Sequence, residues 1–130
     1  MKQDERYRTQ LGRVRGLGAA HSGTTHFWHQ RITSVAGISL SIIFIVIVIS
    51  LIGRNHAAVV QILGSPLVAI LMLAFILNTA YHMWLGMQEV ILDYIHDGLP
   101  KMMLLMCNTF FCTGVALAAS FAILKMSFGV

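Results

Sequence analysis

The sequence predicts an all-α membrane protein with three transmembrane helices, its N-terminus cytoplasmic and its C-terminus on the opposite side. Three observations carry this reading. First, of 130 residues 57% are hydrophobic and only 11% charged, where a soluble domain carries about a quarter charged residues. Mean hydropathy is +0.76, and too few polar side chains are present to cover a water-facing surface. Second, the apolar residues fall in three long blocks and do not alternate, so the bilayer is their natural solvent. Third, Lys2, Arg6, Arg8, Arg13, Arg15 and Arg31 all precede the first block, and Arg54 alone is basic in the loop after it. That asymmetry matches a cytoplasmic N-terminal flank.

The elements follow in order. Residues 1–31 form a basic cytoplasmic and interfacial segment, and residues 32–130 a three-helix transmembrane domain. Phe27 and Trp28 suit the membrane interface, where an apolar ring and a polar edge are both satisfied. The basic region is too long, and the next block too long, for a secretory signal. The first span is read as 32–52, uncharged throughout. At ~1.5 Å per residue it crosses the ~30 Å hydrocarbon core. Ser34, Gly37 and Ser41 lie near one face, where small residues let another helix approach closely. Gly53 to His56 opens a loop that Gly64-Ser65-Pro66 closes, with Pro66 a good helix start. The second span, 66–95, is longer than a crossing requires and should emerge on the cytoplasmic side. Asp97-Gly98-Leu99-Pro100 reads as a tight turn capped by Asp97 and Lys101, and the third span as 101–125. Loop 53–65 and the C-terminus then lie outside.

Some functions are excluded. The formal charge of +4 is gathered in a membrane flank and not spread along a groove, which argues against nucleic acid. Cys107 and Cys112 lie five apart, on different faces of a helix, and read as two small buried hydrophobes. They form neither a disulfide nor a metal pair, and no flavin, nucleotide or iron–sulfur motif is present.

The second span carries the chemistry. Ionisable groups within a membrane cost several kcal/mol (roughly 3 at a helix centre) unless paired or ligated. Asn78, Glu89 and Asp93 stand at minus four, plus seven and plus eleven from His82. At about 100° per residue these lie within roughly 40° of one line. Gly86 shares that line, so the stripe is an interior face. A neutral imidazole there is a good axial ligand for iron, and the gap at Gly86 leaves room for a flat macrocycle. A hydrogen bond to a neighbouring helix, or a proton relay, fits the spacing equally well. Asp93-Tyr94 lies ~16 Å beyond His82 along the helix, near the cytoplasmic interface. A tyrosine hydroxyl can donate to a quinone carbonyl and an adjacent acid can orient the proton; simple interfacial anchoring accounts for the same pair.

Residues 82–94 read His82-Met83-Trp84-Leu85-Gly86-Met87-Gln88-Glu89-Val90-Ile91-Leu92-Asp93-Tyr94. This string resembles the H-x-W-x-G-x-x-x-V-x-x-D-Y signature of the small hydrophobic anchor subunit of succinate dehydrogenase, respiratory complex II. Upstream, Ser22-Gly23, His26, Trp28, Gln30-Arg31 and Thr33 resemble, less specifically, that family's approach to its first helix. The resemblance implies that His82 is one axial ligand of a b-type haem, the second histidine coming from a partner anchor subunit. It implies that Tyr94 binds ubiquinone with Asp93 beside it, and that Gly86 packs against the haem. Arg31 would meet the haem propionates or the quinone pocket, since a guanidinium pairs well with a carboxylate; anchoring of the span explains Arg31 as well. The partners implied are the second cytochrome b anchor, an iron–sulfur subunit, a flavoprotein and the lipid bilayer. The expected place is the bacterial cytoplasmic (inner) membrane, in preference to the mitochondrial one. Such a chain takes part in an oxidoreductase without carrying the dehydrogenase chemistry itself.

Three rivals stand beside this, one of them a haem-free structural anchor in which the His82 stripe only packs against a partner. A quinol:fumarate reductase anchor would share every feature and run the electrons in reverse. A small proton-coupled transporter would use Glu89 or Asp93 as its carrier carboxylate. Glu89 departs from the mainly apolar or glutamine-like residues of the family, and its partner is left open. His21, His26 and His29 read best as solvated or headgroup histidines, with His26 also able to frame the haem edge. Trp84 and Gln88 read as packing or interface residues, and the methionines as helix packing.

Overall fold

A computed structural model of the chain describes residues 23–129. The basic segment 1–22, including His21 and Ser22, lies outside the described residues. Among the described residues there are four helices and no strand: α1 (Gly23–Leu51), α2 (His56–Leu63), α3 (Pro66–Tyr94) and α4 (Gly98–Phe128). Three of these, α1, α3 and α4, are long and apolar enough to cross a membrane.

Helix α1 begins at Gly23, well before the expected Ile32, and takes in the whole aromatic and histidine-rich stretch. No proline or glycine interrupts residues 24–36, so nothing in the chain stops the helix from extending into the interface. Ser34, Ser39 and Ser50 each bond a carbonyl of the same helix. Ser34 Oγ donates to the Gln30 carbonyl at 2.8 Å and Ser50 Oγ to the Ile47 carbonyl at 2.6 Å, as a medium without water demands. The helix ends where Gly53 adopts a left-handed φ of 75°. Arg54 then turns back and donates to the Ser50 carbonyl at 2.6 Å, placing a cation on the free carbonyls of the helix end.

The loop expected over 53–65 contains a short helix, α2. Asn55 caps it, its Oδ1 accepting from the Ala58 amide at 2.9 Å, which satisfies one otherwise orphaned donor. Gly64 closes it in close contact with α4. A Cβ at Gly64 would stand 2.8 Å from the Met126 carbonyl oxygen, so only glycine lets α2 fold onto the last turns of α4.

Pro66 is the first residue of α3, where its missing N–H costs nothing. Ser65 precedes it but makes no cap bond to α3; its hydroxyl donates to the Ile62 carbonyl of α2 at 2.8 Å. The third crossing helix starts at Gly98, ahead of the expected Lys101. Pro100 does not break it because the first turn has no internal amide bonds to lose. Asp97 occupies the N-cap position without a side-chain bond. Lys101 does not cap that turn either: its Nζ reaches the Leu92 carbonyl at 3.4 Å, on the end of α3.

Helix α3 is the central member. It packs along α1 on one side and α4 on the other, and α1 and α4 share no comparable interface. The partners run antiparallel, as short connections require. Phe44 and Phe75 stack at 4.5 Å between α1 and α3. On the other side Trp84 Nε1 donates to Thr109 Oγ1 at 3.1 Å, and Asn108 Nδ2 donates to the Trp84 carbonyl at 3.1 Å. Leu85 is the most deeply buried side chain, at 1% exposed. Cys112 is buried and donates to Asn108 Oδ1 at 3.3 Å, whereas Cys107 is exposed. The pair is free, as expected, but only one of the two is a buried residue. Most large apolar side chains of α1, including Ile32, Val35, Ile38 and Ile42, are exposed, as befits surfaces made for lipid or for other subunits.

Candidate functional site

The polar stripe of α3 faces α1. Asn78 Nδ2 donates to the Thr33 main-chain carbonyl at 3.1 Å. One turn on, His82 Nδ1 lies 2.9 Å from Thr33 Oγ1. Two turns further, Glu89 Oε1 meets His26 Nδ1 at 2.6 Å, and Gln88 Oε1 lies 3.4 Å from His26 Nε2. The spacing that aligned these residues on one line of α3 thus delivers Asn78 and His82 to Thr33, and Glu89 to His26, on α1.

Hydrogen counting assigns a tautomer to a neutral His82 ring. Thr33 has one hydroxyl proton, which it directs at the His29 carbonyl at 2.8 Å, with the Gln30 carbonyl at 3.1 Å. Toward His82 the Thr33 oxygen therefore accepts, and Nδ1 carries the ring proton. Nε2 is left with its lone pair and has no hydrogen-bond partner among the described residues. This is the arrangement of a metal-binding histidine, one nitrogen tied to the protein and the other free. A groove of about 540 Å³ runs beside it, with Thr33, Ser34, Gly37, Ser41, Asn78 and His82 in its wall. Gly86, one turn further along α3, is open as well: a Cβ there would have nothing within 4 Å. The residues present therefore fit a planar iron cofactor held through His82 Nε2. Among the described residues no cluster of three or more histidine, cysteine or carboxylate side chains is placed to hold a bare metal ion.

The remaining expected residues lie apart from that contact. Asp93 and Tyr94 end α3, both exposed, Tyr94 at 78%. Arg31 is exposed and lays its guanidinium over the Phe27 ring of its own helix, 5.0 Å from the centroid. Among the described residues no hydrogen bond or ion pair ties Arg31, Asp93 or Tyr94 to His82.

Several contacts escaped the sequence reading. His26 is not a solvated histidine: it is clamped between Glu89 and Gln88, which supplies the missing partner of Glu89. His29 Nδ1 meets the Tyr81 hydroxyl at 2.6 Å. Both histidines point to α3 because they stand three apart on α1, a signal present in the sequence once α1 is extended to Gly23. Trp84 and Gln88, read as packing or interface residues, each make a polar contact to another helix. Thr33 was visible only as one letter of a weak string.

Fold and site together define the class: a three-span membrane subunit that presents one histidine to a groove and leaves broad apolar faces for other chains. The sequence profile of the succinate dehydrogenase/fumarate reductase transmembrane subunit family matches residues 5–117, and the chain belongs to that family. It is similar to the succinate dehydrogenase hydrophobic membrane anchor subunit of Paracoccus denitrificans, 30% identical over 124 residues and 95% of each chain. It is also similar to the subunit of the same description from Rickettsia bellii, 29% identical over 68% of this chain and 71% of the relative. No solved structure matches the chain.

Proposed function

We propose that this chain is the membrane anchor of a succinate:ubiquinone oxidoreductase, sharing a b-type haem with a second anchor subunit and helping to bind ubiquinone. The observation that carries it is the His82 ring, tied at Nδ1 and free at Nε2 beside the open ground of Gly86. His82 Nε2 would be one axial ligand of the haem, and a histidine of the partner anchor the other. The haem, when bound, supplies a reversible one-electron carrier within the membrane. Gly86 lies on the same stripe one turn away and leaves space for the flat ring. Tyr94 and Asp93, at the exposed end of α3, would meet a quinone headgroup: the tyrosine hydroxyl would donate to a quinone carbonyl, and the carboxylate would orient the proton. Arg31, once released from Phe27, would pair with a propionate or enter the quinone pocket.

Succinate would be oxidised on a separate flavoprotein, with electrons passing through an iron–sulfur subunit docked on the cytoplasmic ends of the helices. The basic segment 1–22 favours that end as cytoplasmic and puts the C-terminus across the bacterial cytoplasmic membrane. Fumarate reduction by the same architecture would only reverse the flow, and the two relatives, both succinate dehydrogenase anchor subunits, favour succinate oxidation. The pairing of Glu89 with His26 argues against a free carrier carboxylate, and so against a proton-coupled transporter.

The test is a reduced-minus-oxidised spectrum of the purified complex, repeated with His82→Ala. A b-type signal should be present and should be lost in the variant; its persistence overturns the ligand assignment. Tyr94→Phe should depress quinone reduction while flavin-linked dye reduction continues. If both rates survive, Tyr94 only anchors the helix.

A further inference from the structure

Both polar groups at the middle of the α3 stripe end on a single residue of α1. The Thr33 hydroxyl meets His82 Nδ1 at 2.9 Å, and the Thr33 carbonyl accepts from Asn78 Nδ2 at 3.1 Å. Thr33 is 9% exposed, a buried polar residue on a helix whose neighbouring side chains are mostly open.

We propose that Thr33 is the positioning residue for the His82 imidazole: its hydroxyl fixes which ring nitrogen is offered to iron, and how strongly that nitrogen donates. The proposal rests on the reading of His82 as a haem ligand and deepens it. Four observations carry it. The hydroxyl proton is already committed to the His29 and Gln30 carbonyls, so the oxygen faces His82 only as an acceptor. Those two bonds also hold the β-branched side chain in one rotamer, so the position of Oγ1 is set by the α1 backbone. Asn78 ties that same backbone to α3 at the same residue, which fixes the distance between the helices where the imidazole sits. Gly37, one turn later, permits the approach: a Cβ there would stand 3.3 Å from Asn78 Nδ2.

The electronic consequence has a sign. An N–H that donates leaves its ring more electron-rich at the other nitrogen, and this stabilises ferric over ferrous iron. A hydroxyl that is itself donating is a better acceptor than an isolated one, though weaker than a carboxylate. Loss of the Thr33 oxygen should therefore weaken haem retention and move the midpoint potential positive. The competing account is that Thr33 only satisfies its own hydroxyl inside the bilayer through back-bonding. That account needs the His29 and Gln30 bonds alone and leaves His82 indifferent to the substitution.

The experiment compares wild type, Thr33→Val, Thr33→Ser and His82→Ala in the assembled complex in membranes. Haem per complex, haem transfer to an apo-globin acceptor and the midpoint potential of the b-type signal are measured. Thr33→Val should release haem roughly 10–100-fold more readily and shift its midpoint positive, and Thr33→Ser should restore both. If Thr33→Val fails to assemble, Thr33→Ala takes its place, removing the hydroxyl with no new bulk. A potential and haem-transfer rate equal to wild type in a haem-containing Val or Ala complex overturns the proposal, even if the amount of complex falls. Retention of haem by His82→Ala overturns the ligand reading and this proposal with it, a result distinct from the loss of the Thr33 effect alone.

Discussion

Gly86 offers a test in which the sign of the answer decides between an occupied and an empty stripe. In an exposed or open helix interior, replacing glycine by alanine stabilises the helix by up to ~1 kcal/mol, because the unfolded chain loses freedom. A Cβ at Gly86 would meet nothing within 4 Å, so the chain itself offers no opposition. If nothing packs on Gly86, the Gly86→Ala complex should therefore be as stable as wild type or slightly more so, with its haem unchanged. A macrocycle lying against the bare backbone reverses this. The added methyl then overpacks a filled contact, at about 1–3 kcal/mol. The helix gain is the same with and without haem and cancels from the binding equilibrium. With ~1.4 kcal/mol per tenfold, haem affinity should fall by roughly 5- to 150-fold. The assay is haem occupancy of the purified complex under a competing apo-globin, alongside its melting temperature. Lower occupancy is the expected result. A Gly86→Ala complex that keeps its haem as tightly as wild type and melts higher would refute the placement of the ring against this helix face.

Other expectations are simpler. Gly64→Ala should destabilise the solubilised complex by about 1–3 kcal/mol, less the ~0.4–1 kcal/mol that alanine gains through the unfolded chain, because its Cβ would press on the Met126 carbonyl. Its haem spectrum should match wild type, since His82 lies about 24 Å along α3 from Pro66, its first residue; thermal melting and the spectrum together check both halves. Glu89→Gln should cost under about 1 kcal/mol, because the His26–Glu89 pair is 29% and 42% exposed and such pairs contribute little. Hydrogen exchange over residues 25–33 should quicken while haem content stays at the wild-type level; collapse of the haem would show that this pair holds the site.

How much of this was legible in the sequence depends on the physics of each part. The three crossing helices were, because a backbone in lipid must satisfy itself and apolar length then dictates the answer. The common face of Asn78, His82 and Glu89 was legible too, since a rigid 100° step carries position along a helix without knowledge of its neighbours. What they touch was not. Thr33 and His26 became partners of the stripe only through the crossing of α1 over α3, which no spacing within one helix encodes. Helix α2 was missed for another reason: His56–Leu63 is short and apolar and reads as part of a loop. Asn55, a good N-cap residue, was the available signal. The early start of α1 is hard to read because interfacial aromatics resemble a boundary, whereas a helix persists until something stops it.

The central place of α3 has a consequence for how sequences of this family can drift. Helices α1 and α4 each answer to α3 and hardly to one another, so a change at Phe44 can be compensated at Phe75 without any adjustment near Asn108. Across relatives, residue pairs should co-vary in two blocks, one joining α1 to α3 and one joining α3 to α4, with few links between the outer helices. Helix α3 belongs to both blocks and answers to two sets of neighbours at once, so its substitutions should accumulate most slowly.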